Sequence, residues 1–322
     1  MRLICISILT VLSTACATSF DAVVGAQIAD TYRLPADYAE HRVQQQFFES
    51  PDGRIAFTDH GTGPALVLLH GVPTSSWMYR KVIPDLQAHA RVISVDLLGY
   101  GSSDKPDDDG TVYTPTAQAQ RIASLLDSLS VQSYGIVMHD MGGLVAWEML
   151  RADPTAIQQL VVLNTIVQQD GFDHPDFKPG VFTRQMTRAM AGDLTSATAL
   201  RLTFRSLGLT GDAALTEAEC FGYVQPMREG ADPALYAFYS SLDQALYDRL
   251  DDNRALFQRY SGKSLVLWGE RDEILTTAQL PFLIEHLRTP PANVHVYPEQ
   301  QHFLAEEIPA ELVQQIAVLL QN

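Results

Sequence analysis

Asp140 stands in Val137-Met138-His139-Asp140-Met141-Gly142-Gly143, between an apolar strand-like run and a helix-like run. A sharp strand-to-helix turn would expose its side chain at the strand end. The N-terminus of the following helix favours the ionised carboxylate there. A serine in such a place attacks an acyl carbon. A carboxylate suits attack on an alkyl carbon, giving an alkyl-enzyme ester that water must then cleave. That second step needs a base; the first does not, because a carboxylate is already ionised at neutral pH. The competing reading of Asp140 alone is a helix N-cap. Gly142 and Gly143 permit a close strand–helix approach.

Such groups meet only if strands carry them to one edge of a sheet. Residues 54–60 read as a strand, followed by the turn Gly61-Thr62-Gly63-Pro64. The run Ala65-Leu66-Val67-Leu68-Leu69-His70 is apolar throughout, as for a strand buried on both faces of a mainly parallel sheet. Helix is expected over 77–89, strand over 91–96, and helix over 116–128, where Ala119, Ile122, Ala123 and Leu126 recur at helical spacing. Strand is expected over 134–139, helix over 142–152 and strand over 160–164. Between 165 and 260 the alternation stops, leaving helical patches and many aromatic residues. It resumes with strands over 264–268 and 293–297 and a closing helix over 309–320. The organisation is therefore a lead-in over 18–46, an α/β core formed by 47–164 and 261–322, and a helical cap over 165–260. Ligands of open α/β sheets bind at the carboxyl ends of the strands, which the cap would cover.

Composition limits the partners. The chain has 322 residues, 46% hydrophobic and 19% charged, an ordinary globular balance. A net charge of −16 argues against nucleic acid, because phosphate contacts need basic patches. Residues 1–17 read as an export signal: Met1-Arg2, an apolar run from Leu3 to Leu12, then small residues. Cleavage after Ala17 and lipidation at Cys16 after a 15-residue signal are both compatible with it, so a periplasmic or secreted protein is expected, with a lipid anchor on Cys16 as its one route to a membrane. Of the three cysteines, only Cys220 lies outside that segment, and it reads as a small buried hydrophobe.

The chain resembles the α/β-hydrolase superfamily, specifically its epoxide hydrolase and haloalkane dehalogenase branch. The resemblance rests on His70-Gly71-Val72-Pro73, on Asp96-Leu97-Leu98-Gly99-Tyr100-Gly101-Ser102-Ser103-Asp104-Lys105-Pro106, on the Asp140 turn, and on Trp268-Gly269-Glu270-Arg271-Asp272 with His302-Phe303. It covers nearly all of residues 47–322. Met138 departs from it, standing where many relatives carry glycine.

The resemblance implies an α/β-hydrolase fold: a mainly parallel central sheet, helices on both faces, and an inserted helical cap. It implies Asp140 as nucleophile, His302 as the base that activates water, and Asp272 as the acid behind His302. The backbone N–H groups of Val72 and Met141 would form the oxyanion hole, with the Val72-Pro73 peptide cis. No metal and no organic cofactor is called for. Relatives that release halide place N–H side chains after the nucleophile and after the His-Gly pair. Here those places hold Met141 and Val72, so the resemblance favours a small hydrophobic epoxide over a haloalkane, with water as the second substrate. Opening an epoxide needs an acid for the ring oxygen. Tyr223 best matches the cap tyrosine that supplies it. No tyrosine occurs between 165 and 216, so His174 is the candidate partner there, and Tyr236 and Tyr239 are further candidates for binding substrate.

Overall fold

The computed structural model describes residues 35–108, 110–172, 181–242 and 244–321. The export signal expected over 1–17, Cys16 and His174 lie outside the described residues. The chain divides into Met1–Ala36 and Asp37–Asn322, and the whole sheet belongs to the second unit.

Eight strands form one sheet in the order β1-β2-β4-β3-β5-β6-β7-β8. They are β1 (Gln46–Ser50), β2 (Gly53–His60), β3 (Ala65–Leu69), β4 (Arg91–Val95), β5 (Tyr134–Asp140), β6 (Ile157–Thr165), β7 (Lys263–Gly269) and β8 (Val294–Tyr297). β2 pairs antiparallel with β1 and β4, and all remaining pairs are parallel. Every residue of β3 and β5 is buried, which is why those runs carry no polar alternation.

The helices before β5 are α1 (Ala36–Gln44), α2 (Ile83–Leu86) and α3 (Pro115–Ser128). α4 (Met141–Ala152) follows β5 directly and buries every residue from Met141 to Leu150. A helix apolar all round belongs inside the fold rather than on its surface. Between β6 and β7 the described elements are all helical: α5 (Val181–Leu194), α6 (Ala197–Ser206), a short turn at Gly211–Ala213, α7 (Glu217–Arg228), α8 (Asp232–Ser240), α9 (Gln244–Asp251) and α10 (Asn253–Arg259). α11 (Gln279–Leu287), α12 (Leu304–Glu307) and α13 (Pro309–Gln321) complete the chain.

One local reading needs correction. The helix expected over 77–89 is broken into a single 3-10 turn at Ser76–Tyr79 and the short α2, which starts at Ile83 with Pro84 in its first turn. Proline lacks the N–H and its ring crowds the carbonyl four residues earlier, so Pro84 favours a helix start over a helix interior. The lead-in ends in α1. Tyr38 of α1 is buried edge-on to Trp77, with ring centres 5.2 Å apart, and Arg42 pairs with Glu229, which caps the C-terminus of α7, at 2.7 Å.

Parallel strands place four loops at one edge. Val72 follows β3, Asp140 ends β5, Asp272 follows β7, and His302 follows β8. The inserted helices reach the same edge. A Cβ built on Gly99, in the loop after β4, would lie 2.3 Å from Ala234 Cβ of α8.

Candidate active site

Asp140 occupies a backbone conformation few non-glycine residues adopt, with φ 50° and ψ −122°. Such strain persists only where the surroundings impose it. Here they do so from three sides. The Thr165 hydroxyl donates to the Asp140 carbonyl at 2.7 Å. Gly143 packs so closely that an added Cβ would lie 1.9 Å from Thr165 Oγ1, and a Cβ on Gly71 would lie 2.4 Å from Asp140 Cβ. The turn thus aims the carboxylate out of the strand end.

Two peptide N–H groups meet that carboxylate. Val72 N–H donates to Asp140 Oδ1 at 2.8 Å, and Met141 N–H donates as well. The Val72-Pro73 peptide is cis. Behind the loop, His70 Nδ1–H donates to the Gly71 carbonyl at 2.8 Å while Nε2 accepts from Leu97 N–H at 3.0 Å. Burial pushes the Asp140 carboxyl above the usual range. The charge of His302 and the two N–H donors oppose it.

His302 Nε2 lies 3.9 Å from Asp140 Oδ2, and its Nδ1–H donates to Asp272 Oδ2 at 2.7 Å. Burial alone would lower the pKa of this imidazole. The charges of Asp272, Asp140 and Glu307 outweigh burial and hold it up at about 8. Asp272 is buried too, which by itself would raise its pKa. Its bond to His302 and the N–H groups of Leu275 and Ile274, at 3.0 and 2.9 Å, pull it below the usual carboxylate value. Asp140, His302 and Asp272 therefore form one relay of charge, donor and acceptor, with 3.9 Å between charges at the first link.

Asn164 stands at the end of β6, beside the acid. Its amide donates to Asp272 Oδ2 at 2.8 Å, and its carbonyl oxygen accepts from Gly269 N–H at 2.8 Å. It locks the acid in the orientation His302 requires. Its φ of 21° is a second strained position in the site. His139 is a further support. Its Nε2–H donates to the His302 carbonyl at 2.8 Å, while burial and the nearby His302 push its pKa down to about 3, so the ring stays neutral.

The tyrosines are arranged otherwise than the resemblance implies. The Tyr223 hydroxyl donates to Glu306 and its ring packs edge-on to Phe204, 4.9 Å between centres. Glu306 also pairs with Arg80 and with Lys81, and Arg80 pairs with Glu219 of α7 at 2.7 Å. Tyr223 thus belongs to an ion cluster joining the inserted helices to the core, and Glu306 accepts the hydrogen bond it was expected to offer a substrate. Tyr236 lines a small outer recess with Asp107, Asp108, Arg188 and Asp232. Tyr239, two turns into α8, is the inserted tyrosine that senses Asp140. Burial first, and then the Asp140 charge, push its hydroxyl up to about 12. Tyr100 of the core comes beside it. Its ring packs against His70, its hydroxyl lies 3.9 Å from Met141 Sδ, and burial, Tyr239 and Asp140 all raise its pKa. The charge of Asp140 thus acts on two tyrosine hydroxyls, Tyr239 of the inserted helices and Tyr100 of the core.

A buried carboxylate on a strained elbow, two N–H donors and an acid-backed histidine define a hydrolytic site of the α/β-hydrolase kind. The chain belongs to the alpha/beta hydrolase fold family, whose profile matches residues 64–309, and within it to the dehalogenase and epoxide hydrolase branch. It is 29% identical over 290 residues to a haloalkane dehalogenase of Mycobacterium marinum, covering 87% of this chain and 93% of that one. It is 26% identical over 286 residues to a cis-3-alkyl-4-alkyloxetan-2-one decarboxylase of Shewanella oneidensis, covering 85% and 87%. Epoxide hydrolase 3 of Mus musculus is 25% identical over 281 residues, covering 82% and 72%. Among solved structures, a DbjA variant superposes with a TM-score of 0.71 at 19% identity over 86% of this chain and 98% of that one, a likeness of fold.

Proposed function

We propose that this hydrolase opens epoxides to vicinal diols through a covalent ester on Asp140. The Asp140 oxygen facing His302 attacks a ring carbon, the carbon–oxygen bond breaks, and the departing oxygen takes its proton from Tyr239. Water then gives a proton to His302 and attacks the ester carbonyl carbon. The oxyanion is received by the N–H groups of Val72 and Met141, which already hold the free carboxylate. Collapse of this intermediate returns Asp140 and releases the diol. The proton on His302 restores the tyrosine.

The relay is timed by charge. Asp140 helps to hold the His302 pKa at about 8. Esterification removes that negative charge, so the imidazole becomes easier to deprotonate in the intermediate, the one state in which it must act as base.

The observation that carries the choice of epoxide is the pair of hydroxyls, Tyr239 and Tyr100, beside a carboxylate whose next residue is Met141. A hydroxyl can protonate a leaving alkoxide. The Met141 thioether has no proton to offer a halide. The relative named for an oxetan-2-one supports a strained oxygen ring as an alternative electrophile.

The test is a His302→Gln variant offered an epoxide, a haloalkane and a dialkyl oxetan-2-one, with the intact protein weighed after each. The first step should survive and the ester should persist. A mass gain equal to the whole epoxide, mapped to Asp140, is the expected result. A gain only from the haloalkane, lacking the halogen, or only from the oxetan-2-one, would replace the proposal.

A further inference from the structure

His302 is aimed from behind by Asp272, but the loop that carries it has its own clamp. The carboxylate of Glu307, the last residue of α12, turns back toward the start of that helix. Its Oε2 accepts the N–H of Gln301 at 2.8 Å and its Oε1 accepts the N–H of Phe303 at 2.8 Å. These are the two residues that flank the histidine. The entry to α12 has no side-chain cap from its N-cap residue, Phe303. Glu307 supplies the missing acceptors. The loop is fixed at two further points: the His302 carbonyl receives His139, and the Gln300 carbonyl receives Arg271 N–H at 3.0 Å. A Cβ on Gly269 would lie 1.9 Å from the Gln301 carbonyl oxygen, so β7 leaves the loop no room to retreat.

We propose that Glu307 is a positioning residue for His302: its carboxylate grips the peptide N–H groups on both sides of the histidine and sets a further negative charge behind the imidazole. This rests on His302 being the base that cleaves the Asp140 ester. The charged groups that act on Glu307 are His302 and Asp272; burial raises its pKa, and the two N–H bonds and His302 lower it. Because the base serves only the second step, Glu307 acts only there. Ester formation depends on Asp140 and the ring-opening hydroxyl, and the clamp touches neither.

Glu307→Gln is the informative change. An amide has one acceptor oxygen, and its NH2 group would face a peptide donor, so one flank of the loop is released and the charge is lost. Glu307→Asp keeps the charge on a stem one methylene shorter. In single-turnover experiments with an epoxide, Glu307→Gln should leave ester formation within about twofold and slow ester hydrolysis about tenfold, as expected when a group near the chemistry is displaced by a fraction of an ångström. The pH midpoint of hydrolysis should fall in Glu307→Gln and stay at the wild-type value in Glu307→Asp. Equal losses in both steps, or an unmoved midpoint in Glu307→Gln, would overturn the proposal.

A second readout needs no substrate. The His302 ring titration, followed by NMR in the free protein, should shift to lower pH in Glu307→Gln, and an unshifted titration would overturn the role. If the wild-type protein forms no ester with any epoxide, the proposed reaction fails, and the NMR titration still decides whether Glu307 acts on His302.

Discussion

At Asp140, burial and hydrogen bonding act in opposite directions, and a carboxylate so placed is useful only if its electrophile is activated. Two tyrosines were candidates for that task at different places in the inserted helices, and their surroundings separate them. Tyr239 is raised by burial and by the Asp140 charge, whereas Tyr223 donates its hydrogen bond to Glu306. Tyr239→Phe should therefore slow ester formation about 100-fold, the low end of the range for a lost general acid, with ester hydrolysis unchanged. Tyr223→Phe should leave ester formation near wild type. It should destabilise the protein by about 1.5–3 kcal/mol, the usual cost of a lost bond to a charged group. Single-turnover rates and denaturant unfolding midpoints read the two effects separately. The reverse pattern, kinetic in Tyr223→Phe and thermodynamic in Tyr239→Phe, would exchange the assignments.

Among the elements, the elbow between β5 and α4 is where close packing and chemistry meet. Gly143 leaves room for Thr165, and Thr165 holds the Asp140 carbonyl at 2.7 Å. Gly143→Ala would place a Cβ 1.9 Å from Thr165 Oγ1, so the hydroxyl must give up its bond or the helix must shift. The change should cost about 1–3 kcal/mol, typical of overpacking, and slow ester formation. Adding Thr165→Ala should recover part of the lost stability, a non-additivity that marks the two residues as coupled. Additive losses would show that the strain lies elsewhere.

The same elements explain what could be seen in the sequence. Asp140, His302, Asp272, Val72 and Met141 stand in turns whose shape is set by neighbouring residues, so short motifs announce them. The tyrosines stand on helices whose apolar faces pack in several directions. Which hydroxyl looks inward depends on how α7 and α8 lie on the core, and no spacing within either helix states that. Asn164 is likewise announced by no motif, because its role as the acid's clamp follows from β6 and β7 lying side by side. Glu307 sits beside Glu306 in an acidic pair that reads as a solvated helix end. Only the fold shows that one of the two faces an ion cluster and the other turns back on the His302 loop.

For the whole molecule, buried histidines make stability depend on pH from both sides. His70 and His139 are held neutral by burial, with pKa values below the ordinary 6.5. Their contribution is present above about pH 6.5 and is lost as pH falls and the unfolded chain takes up protons the folded one refuses. His302 is opposite. Its folded pKa of about 8 lies above the ordinary 6.5, so its contribution is complete below 6.5 and lost as pH rises through 8. Thermal stability should therefore peak near pH 6.5 and decline on both sides. In His302→Gln the decline between pH 6.5 and 8 should shrink while the acid decline remains. Melting temperatures measured on both sides of pH 6.5 check both limbs, and an unchanged alkaline limb in the variant would show that His302 is not the group responsible.

The account as a whole depends on a bond between Asp140 and substrate carbon. One turnover of an epoxide by excess wild-type protein in heavy-oxygen water tests it most directly. The account predicts that the peptide bearing Asp140 gains a heavy oxygen, because water attacks the ester carbonyl, while the diol from that turnover carries only ordinary oxygen. A labelled diol with an unlabelled Asp140 would mean that water attacks the epoxide itself, and the covalent account would be wrong.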